Sequence, residues 1–153
     1  MKARFRQSYF AWSGATTFAR SYVRKAPSLR LELADGTTVD GATVVVQNGD
    51  PYTYFNGRPV RVARGTELDS GALSGIVLRK TTPTVMPSLA SRMLVERFDV
   101  AKSNAVTTFD TGEDFAVTST DGRLVPVHVD GDHIGDYDHA NFSVRPDSLL
   151  IVA

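Results

Sequence analysis

The stretch LRLELADGTTVDGATVVVQNG, residues 29–49, decides the fold class. Leu29, Leu31 and Leu33 alternate with polar residues, the period at which successive side chains point to opposite faces of a strand. Asp35-Gly36 then supplies the positive-φ dipeptide of a tight hairpin, and Thr43 to Val46 is a β-branched run suited to a pleated, buried surface. Working outward, strand signals punctuated by Asn48-Gly49, Asn56-Gly57, Asp121-Gly122 and Asp130-Gly131 continue to the carboxyl end.

Two stretches read differently. Phe5, Tyr9, Trp12, Thr16, Ala19 and Val23 recur at spacings of four and three, which predicts an amino-terminal helix that Pro27 stops. In TPTVMPSLASRMLVERF, residues 82–98, Val85, Leu89, Met93 or Leu94, and Phe98 predict one short inserted helix despite Pro87. The expectation is a mainly β chain: a β-sandwich over residues 1–153 as one domain, with an amino-terminal helix and one short inserted helix. A chain of about 150 residues is long enough to bury a substantial core.

Composition narrows the function. The 153 residues contain no cysteine, so a disulfide framework and thiolate metal sites are excluded. No apolar run approaches the ~20 residues of a membrane span, and the first residues lack a signal-peptide pattern, so a cytoplasmic protein is expected. The 17 basic and 17 acidic residues cancel, yet they are unevenly spread. Residues 1–30 hold seven basic side chains and no acid, leaving ten basic and seventeen acidic groups for the rest. A basic front can meet anionic lipid headgroups, which keeps peripheral contact at the inner membrane face open, or it can be a solvated helix face. A neutral chain without a basic, aromatic-interleaved domain does not fit nucleic acid.

No Walker-type phosphate loop, Gly-x-Gly-x-x-Gly or Gly-x-Ser-x-Gly elbow is present. His128, His133 and His139 share a region with Asp130, Asp132, Asp136 and Asp138, but their spacing matches no standard metal site and reads as surface histidines. The run DGDHIGDYD, residues 130–138, is rich in oxygen ligands but lacks EF-hand spacing and the closing glutamate. Asp130 and Asp132 admit two readings. Val125, Val127 and Val129 alternate into Asp130-Gly131, a hairpin signal that makes this a turn. If residues 130–132 stay extended, the two carboxylates share one face and raise each other's proton affinity, a general-base arrangement.

Beyond these local readings, VPVHVDGDHIGDYDHANFSVRPDSLLIVA, residues 125–153, resembles the closing segment of the bacterial diacylglycerol kinase-like lipid kinases, relatives of the sphingosine and ceramide kinases. Those chains end in a hydrophobic strand, Asp-Gly-Glu, a β-branched strand, Pro and a Leu-rich strand; here Pro146, Leu149 and the terminal LLIVA match. A second stretch, residues 44–77, resembles the family's strand-Asn-Gly element and Asp-Gly-x-Leu turn, with Asp69, Gly71 and Leu73 in place. Residues 1–12 are similar to the helix opening the family's second domain.

The resemblance implies that this chain corresponds to the carboxyl-terminal β-sandwich domain, which binds lipid and supplies catalytic carboxylates. ATP, with Mg²⁺, would be held mostly by an amino-terminal nucleotide-binding domain, carrying Gly-Gly-Asp-Gly-Thr, that this sequence lacks. It assigns Asp130 as the base for the lipid hydroxyl and Asp132, in place of the family's glutamate, as its orienting partner. It also points to Glu67, Asp69 and Ser70 for a structural Mg²⁺, although Ser70 replaces a carboxylate there. Arg64 and Ala72 depart from the family's proline and bulkier apolar residue. Three readings follow: half of a lipid kinase, a non-catalytic lipid- or partner-binding remnant, or, by analogy with the related NAD kinases, a nucleotide-acceptor domain. The Asp-Gly-Asp segment and the Pro-x-x-Leu ending favour lipid.

Overall fold

The computed structural model describes residues 26–55, 57–63, 66–67, 69–79, 81–82, 85–94 and 100–145. The expected amino-terminal helix and the final Leu-rich stretch lie outside these residues, as do Arg64 and Phe98. Eleven strands are described: β1 Leu29–Leu33, β2 Thr38–Gly41, β3 Thr43–Gln47, β4 Thr53–Phe55, β5 Arg58–Val60, β6 Leu73–Leu78, β7 Val106–Thr111, β8 Phe115–Ser119, β9 Val125–Val129, β10 Asp132–Tyr137 and β11 His139–Phe142. Helix α1 spans Met86–Leu94, and a single 3-10 turn spans Val100–Lys102. The expected mainly β fold is what forms.

Strands β11-β8-β1-β2 make one antiparallel sheet and β3-β6-β7 a second. Alternation fixes how they meet. On β1, Leu29 and Leu31 are buried while Arg30 and Glu32 face water, and Arg30 makes a two-pronged bond to its cross-strand partner Asp40 at 2.7 and 3.0 Å. Leu29, Leu31, Phe115 and Val117 of the first sheet pack against Val77 and Phe109 of the second. The ring of Phe115 sits edge-on to Phe109 at 5.3 Å and stacked on Phe142 at 4.8 Å. The hairpin at Asp35-Gly36 closes as the sequence predicts: Gly36 has φ 82°, and the Asp35 carboxylate accepts the Thr37 N–H at 2.8 Å. That bond holds the Asp35 carboxyl below its ordinary value.

The second sheet is covered on both faces. Its outer face carries Ile76 and Leu78 of β6, which pack with Val62, Ala63, Leu89 of α1, Val100 and Val106. Val45 packs on this side, whereas Val44 and Val46 pack toward the first sheet. That explains why β3 reads as an unbroken valine run: a strand covered on both sides has no water-facing position to mark with a polar residue. Helix α1 begins with Met86, so Pro87 lies in the first turn, where a missing N–H costs no intrahelical bond. Gln47 anchors the loop after β5, donating from Nε2 to the Ala63 carbonyl at 2.9 Å while its Oε1 accepts the Ala63 N–H at 3.3 Å. A buried amide paired twice to backbone fixes this covering loop on the sheet edge.

Hairpin β9–β10 is a two-stranded ribbon of its own. Its base is tied to the first sheet. Ser119 N–H donates to the Asp138 carbonyl at 2.7 Å, Thr120 N–H to the Ser28 carbonyl at 2.8 Å, and Arg123 Nη2 to the Ala26 carbonyl at 2.7 Å. Arg123 is itself gripped by Asp121, whose carboxylate also accepts the Ser119 hydroxyl at 3.1 Å. The Arg123 guanidinium, aided by the Arg123 and Ser119 donors, holds the Asp121 carboxyl well below the usual carboxylate range. A carboxyl whose folded pKa is depressed contributes stability above its unfolded pKa of about 3.9, and that contribution is lost as pH falls through the folded pKa. Asp121→Asn is therefore expected to lower the urea midpoint at neutral pH. The gap from wild type should shrink in acid below about pH 4. A gap of constant size across that range would remove this pair as an acid-sensitive tie.

Candidate functional site at the β9–β10 hairpin

The site builds from the alternation of VPVHV. Val125, Val127 and Val129 share one face of β9, and Pro126 and His128 share the other. Val129 pairs with Asp132, so Asp130 and Gly131 are the two central residues of the turn. Their φ values, 52° and 91°, are both positive, the requirement of the I′ turn that matches strand twist. Glycine reaches this region freely, and aspartate is one of the few other residues that does so at small cost. The hairpin reading of Asp130-Gly131 is thus the one the chain adopts. The alternative, an extended 130–132 with both carboxylates on one strand face, does not form, because the turn rotates Asp130 out of the strand.

Asp130 and Asp132 stand exposed at the tip, and neither carboxylate has a hydrogen-bond or ion-pair partner among the described residues. They are available to whatever approaches the tip. Further along β10 the register shifts between His133 and Gly135, so Ile134 is an extra residue without a cross-strand partner. Gly135 has φ 148°, and a Cβ there would lie 2.8 Å from the Tyr137 ring. Residues three apart on a regular strand face opposite ways; the bulge returns Asp136 to the face of His133. Its carboxylate Oδ1 lies 3.0 Å from His133 Nε2, and the His133 ring lies 5.2 Å from that of His128 across the ladder. The sequence places these three residues in one region as surface groups, but the pairing of His133 with Asp136 is not legible in it. Gly135 within the strand pattern was its one available sign.

The third histidine is elsewhere. His139 on β11 is engaged by Thr118 Oγ1 at 3.0 Å and Asn141 Oδ1 at 2.9 Å. Among the described residues no group of three histidine, cysteine, aspartate or glutamate side chains is placed to hold a metal ion. Glu67, Asp69 and Ser70 lie in the loop before β6. The Ser70 hydroxyl donates to the Glu67 carbonyl at 2.7 Å and accepts the Ala72 N–H at 3.3 Å, and Gly71 takes φ 62°. Both bonds help to close the turn, and they leave the Ser70 oxygen one further lone pair.

The fold defines a class. Most of the chain shares its fold with part of two solved structures, and the likeness is one of fold. Two solved structures of a "putative diacylglycerol kinase" from Bacillus anthracis str. Sterne carry it, with TM-scores of 0.56 and 0.54 at 15% identity. Each match covers 84% of this chain but only 42% or 41% of the other, so the chain spans about two fifths of those structures. No protein-family model matches the sequence, and no curated protein does. No helix among the described residues is long and apolar enough to cross a membrane.

Proposed function

We propose that this chain is the acceptor-side, carboxyl-terminal domain of an ATP-dependent lipid kinase, completed by an amino-terminal nucleotide-binding domain. The observation that carries the proposal is the Asp130-Gly131-Asp132 tip on a chain whose fold matches only part of a diacylglycerol kinase-like structure. A tip with two carboxylates that have no partner among the described residues suits a surface completed by a second wall. In this reading Asp130 accepts the proton of a lipid hydroxyl, such as that of diacylglycerol, as that oxygen bonds to the γ-phosphorus of ATP. The bond to the bridging oxygen breaks and ADP leaves. Asp132 orients Asp130, and positioning supplies most of the acceleration. Mg²⁺ bound with ATP neutralises charge on the phosphates; no step is assigned to Glu67, Asp69 or Ser70.

The test is reconstitution. The chain is mixed with, or fused behind, the nucleotide-binding domain of a kinase of this fold and given labelled ATP, Mg²⁺ and diacylglycerol micelles. The expected result is labelled phosphatidic acid that requires both parts. Equal product from the nucleotide domain without this chain would overturn the proposal. Lipid retained by this chain in native mass spectrometry with no product in any mixture would favour the non-catalytic lipid-binding remnant.

A further inference from the structure

The outer face of the first sheet is polar. Strand register lays out two rows across it: His139, Thr118, Arg30 and Asp40 in one, and Asn141, Ala116, Glu32 and Thr38 in the next. Their strand neighbours Val117, Leu31 and Val39 point the other way, into the core between the sheets. His139, Thr118, Arg30 and Asp40 are all exposed.

Within this face, side chains from β8 and β11 form a directed chain of hydrogen bonds. Asn141 Oδ1 can only accept, so His139 Nε2, 2.9 Å away, carries the proton. In the neutral ring Nδ1 is then the acceptor, and the Thr118 hydroxyl, 3.0 Å from it, donates. The order amide oxygen, imidazole, hydroxyl is that of a nucleophile held against a base whose tautomer a third group fixes. The other flank of Thr118 carries a cation. Arg30 is its direct cross-strand neighbour, at a side-chain spacing of ~5 Å. Asp40 engages that guanidinium through Nε and Nη2, which leaves the fork further N–H donors. On a water-facing surface none of these polar groups needs the others for solvation, so the ordered chain is not a requirement of burial.

We infer that Thr118 is a nucleophilic acyl acceptor, with His139 as its general base and Asn141 as the positioning residue for that base. The substrate class is an activated acyl ester. In the step, Thr118 Oγ1 bonds to the acyl carbon as its proton passes to His139 Nδ1. The carbon–oxygen bond to the leaving group then breaks, and the leaving oxygen takes up that proton. Arg30 is the donor nearest in register to the charge that gathers on the acyl oxygen between these events. The product is an ester on Thr118. The site lies on β8, β11 and β1, and the inference is independent of the kinase proposal.

The experiment incubates the full chain with p-nitrophenyl acetate, digests it, and maps acetyl groups by mass spectrometry. Thr38 is the internal reference, an exposed hydroxyl on the same face whose cross-strand partner is Glu32. Acetyl-Thr118 is expected at least about tenfold above acetyl-Thr38, since a positioned base supplies roughly 10²–10⁴. His139→Ala should bring Thr118 down to the Thr38 level. Asn141→Ala should lower it about fivefold, the worth of one neutral hydrogen bond, and Asn141→Asp, which keeps an acceptor oxygen, should restore it. A merely structural loss would not be restored in this way. Thr118 labelled no more than Thr38, acetyl found on His139 alone, or labelling unchanged in His139→Ala would each overturn the inference. The wild-type ratio of Thr118 to Thr38 decides the matter even where a variant fails to fold.

Discussion

Gly75→Ala should be the most destabilising single-methyl addition in the second sheet, removing a readily measured share of the domain's stability. Gly75 is buried within β6, between β3 and β7, opposite Val46 on one side and Phe109 on the other. A Cβ there would run into the Val45 carbonyl and lie 2.6 Å from Cζ of Phe109. Neither obstacle can yield cheaply. The carbonyl belongs to the β3–β6 ladder, and the Phe109 ring is wedged against Phe115 in the core between the sheets. Overpacking of this type costs about 1–3 kcal/mol and occasionally more, against a total stability of ~5–15 kcal/mol for a domain. Gly122→Ala gives the contrast. Gly122 sits in a turn with φ 71° and open space around it, so only the backbone preference is lost, roughly 1–2 kcal/mol. Urea midpoints should fall in the order wild type, Gly122→Ala, Gly75→Ala; a Gly75→Ala midpoint at or above that of Gly122→Ala would show that the sheet has slack where none is drawn.

The same residue shows what the sequence could and could not reveal. LSGIVL reads as a strand, but the reason for its glycine is a ring from β7, more than 30 residues away in sequence, and no local pattern encodes that contact. By contrast β1, its Asp35-Gly36 turn and β2 are legible because alternation and turn chemistry act over a few residues. The valine run of β3 signalled burial on both faces without saying what covered them; that α1 lies on one side and the first sheet on the other is a matter of topology. At the hairpin the turn itself was readable, since Asp-Gly after alternating valines has few other uses. The pairing of His133 with Asp136 was not, because it depends on a one-residue bulge that reverses the facing of everything after Ile134.

Asp130→Asn is the substitution that separates the proposed chemistry from the fold. Asparagine followed by glycine is a favoured pair for the I′ turn, so the variant keeps positive φ at position 130 and keeps the hairpin, removing only the carboxylate's charge and basicity. Position 130 is exposed, and its carboxylate makes no bond to the described residues that the exchange would break. Melting temperature should therefore stay with wild type. In the reconstituted kinase, phosphatidic acid formation should fall by about 10²–10⁴, the usual range for losing a general base, with little change in the lipid KM. Asp132 offers a graded second readout. In the proposed mechanism its reach sets the position of Asp130; Asp132→Asn should reduce kcat, whereas Asp132→Glu lengthens the side chain by one methylene, roughly 1 Å, and should raise it. Turnover unchanged by Asp130→Asn, in a variant with an unchanged melting temperature, would remove Asp130 as the base and leave the hairpin a structural turn. A fall in kcat for Asp130→Asn together with a gain for Asp132→Glu would be difficult to obtain from any arrangement in which the tip does not face the reacting hydroxyl.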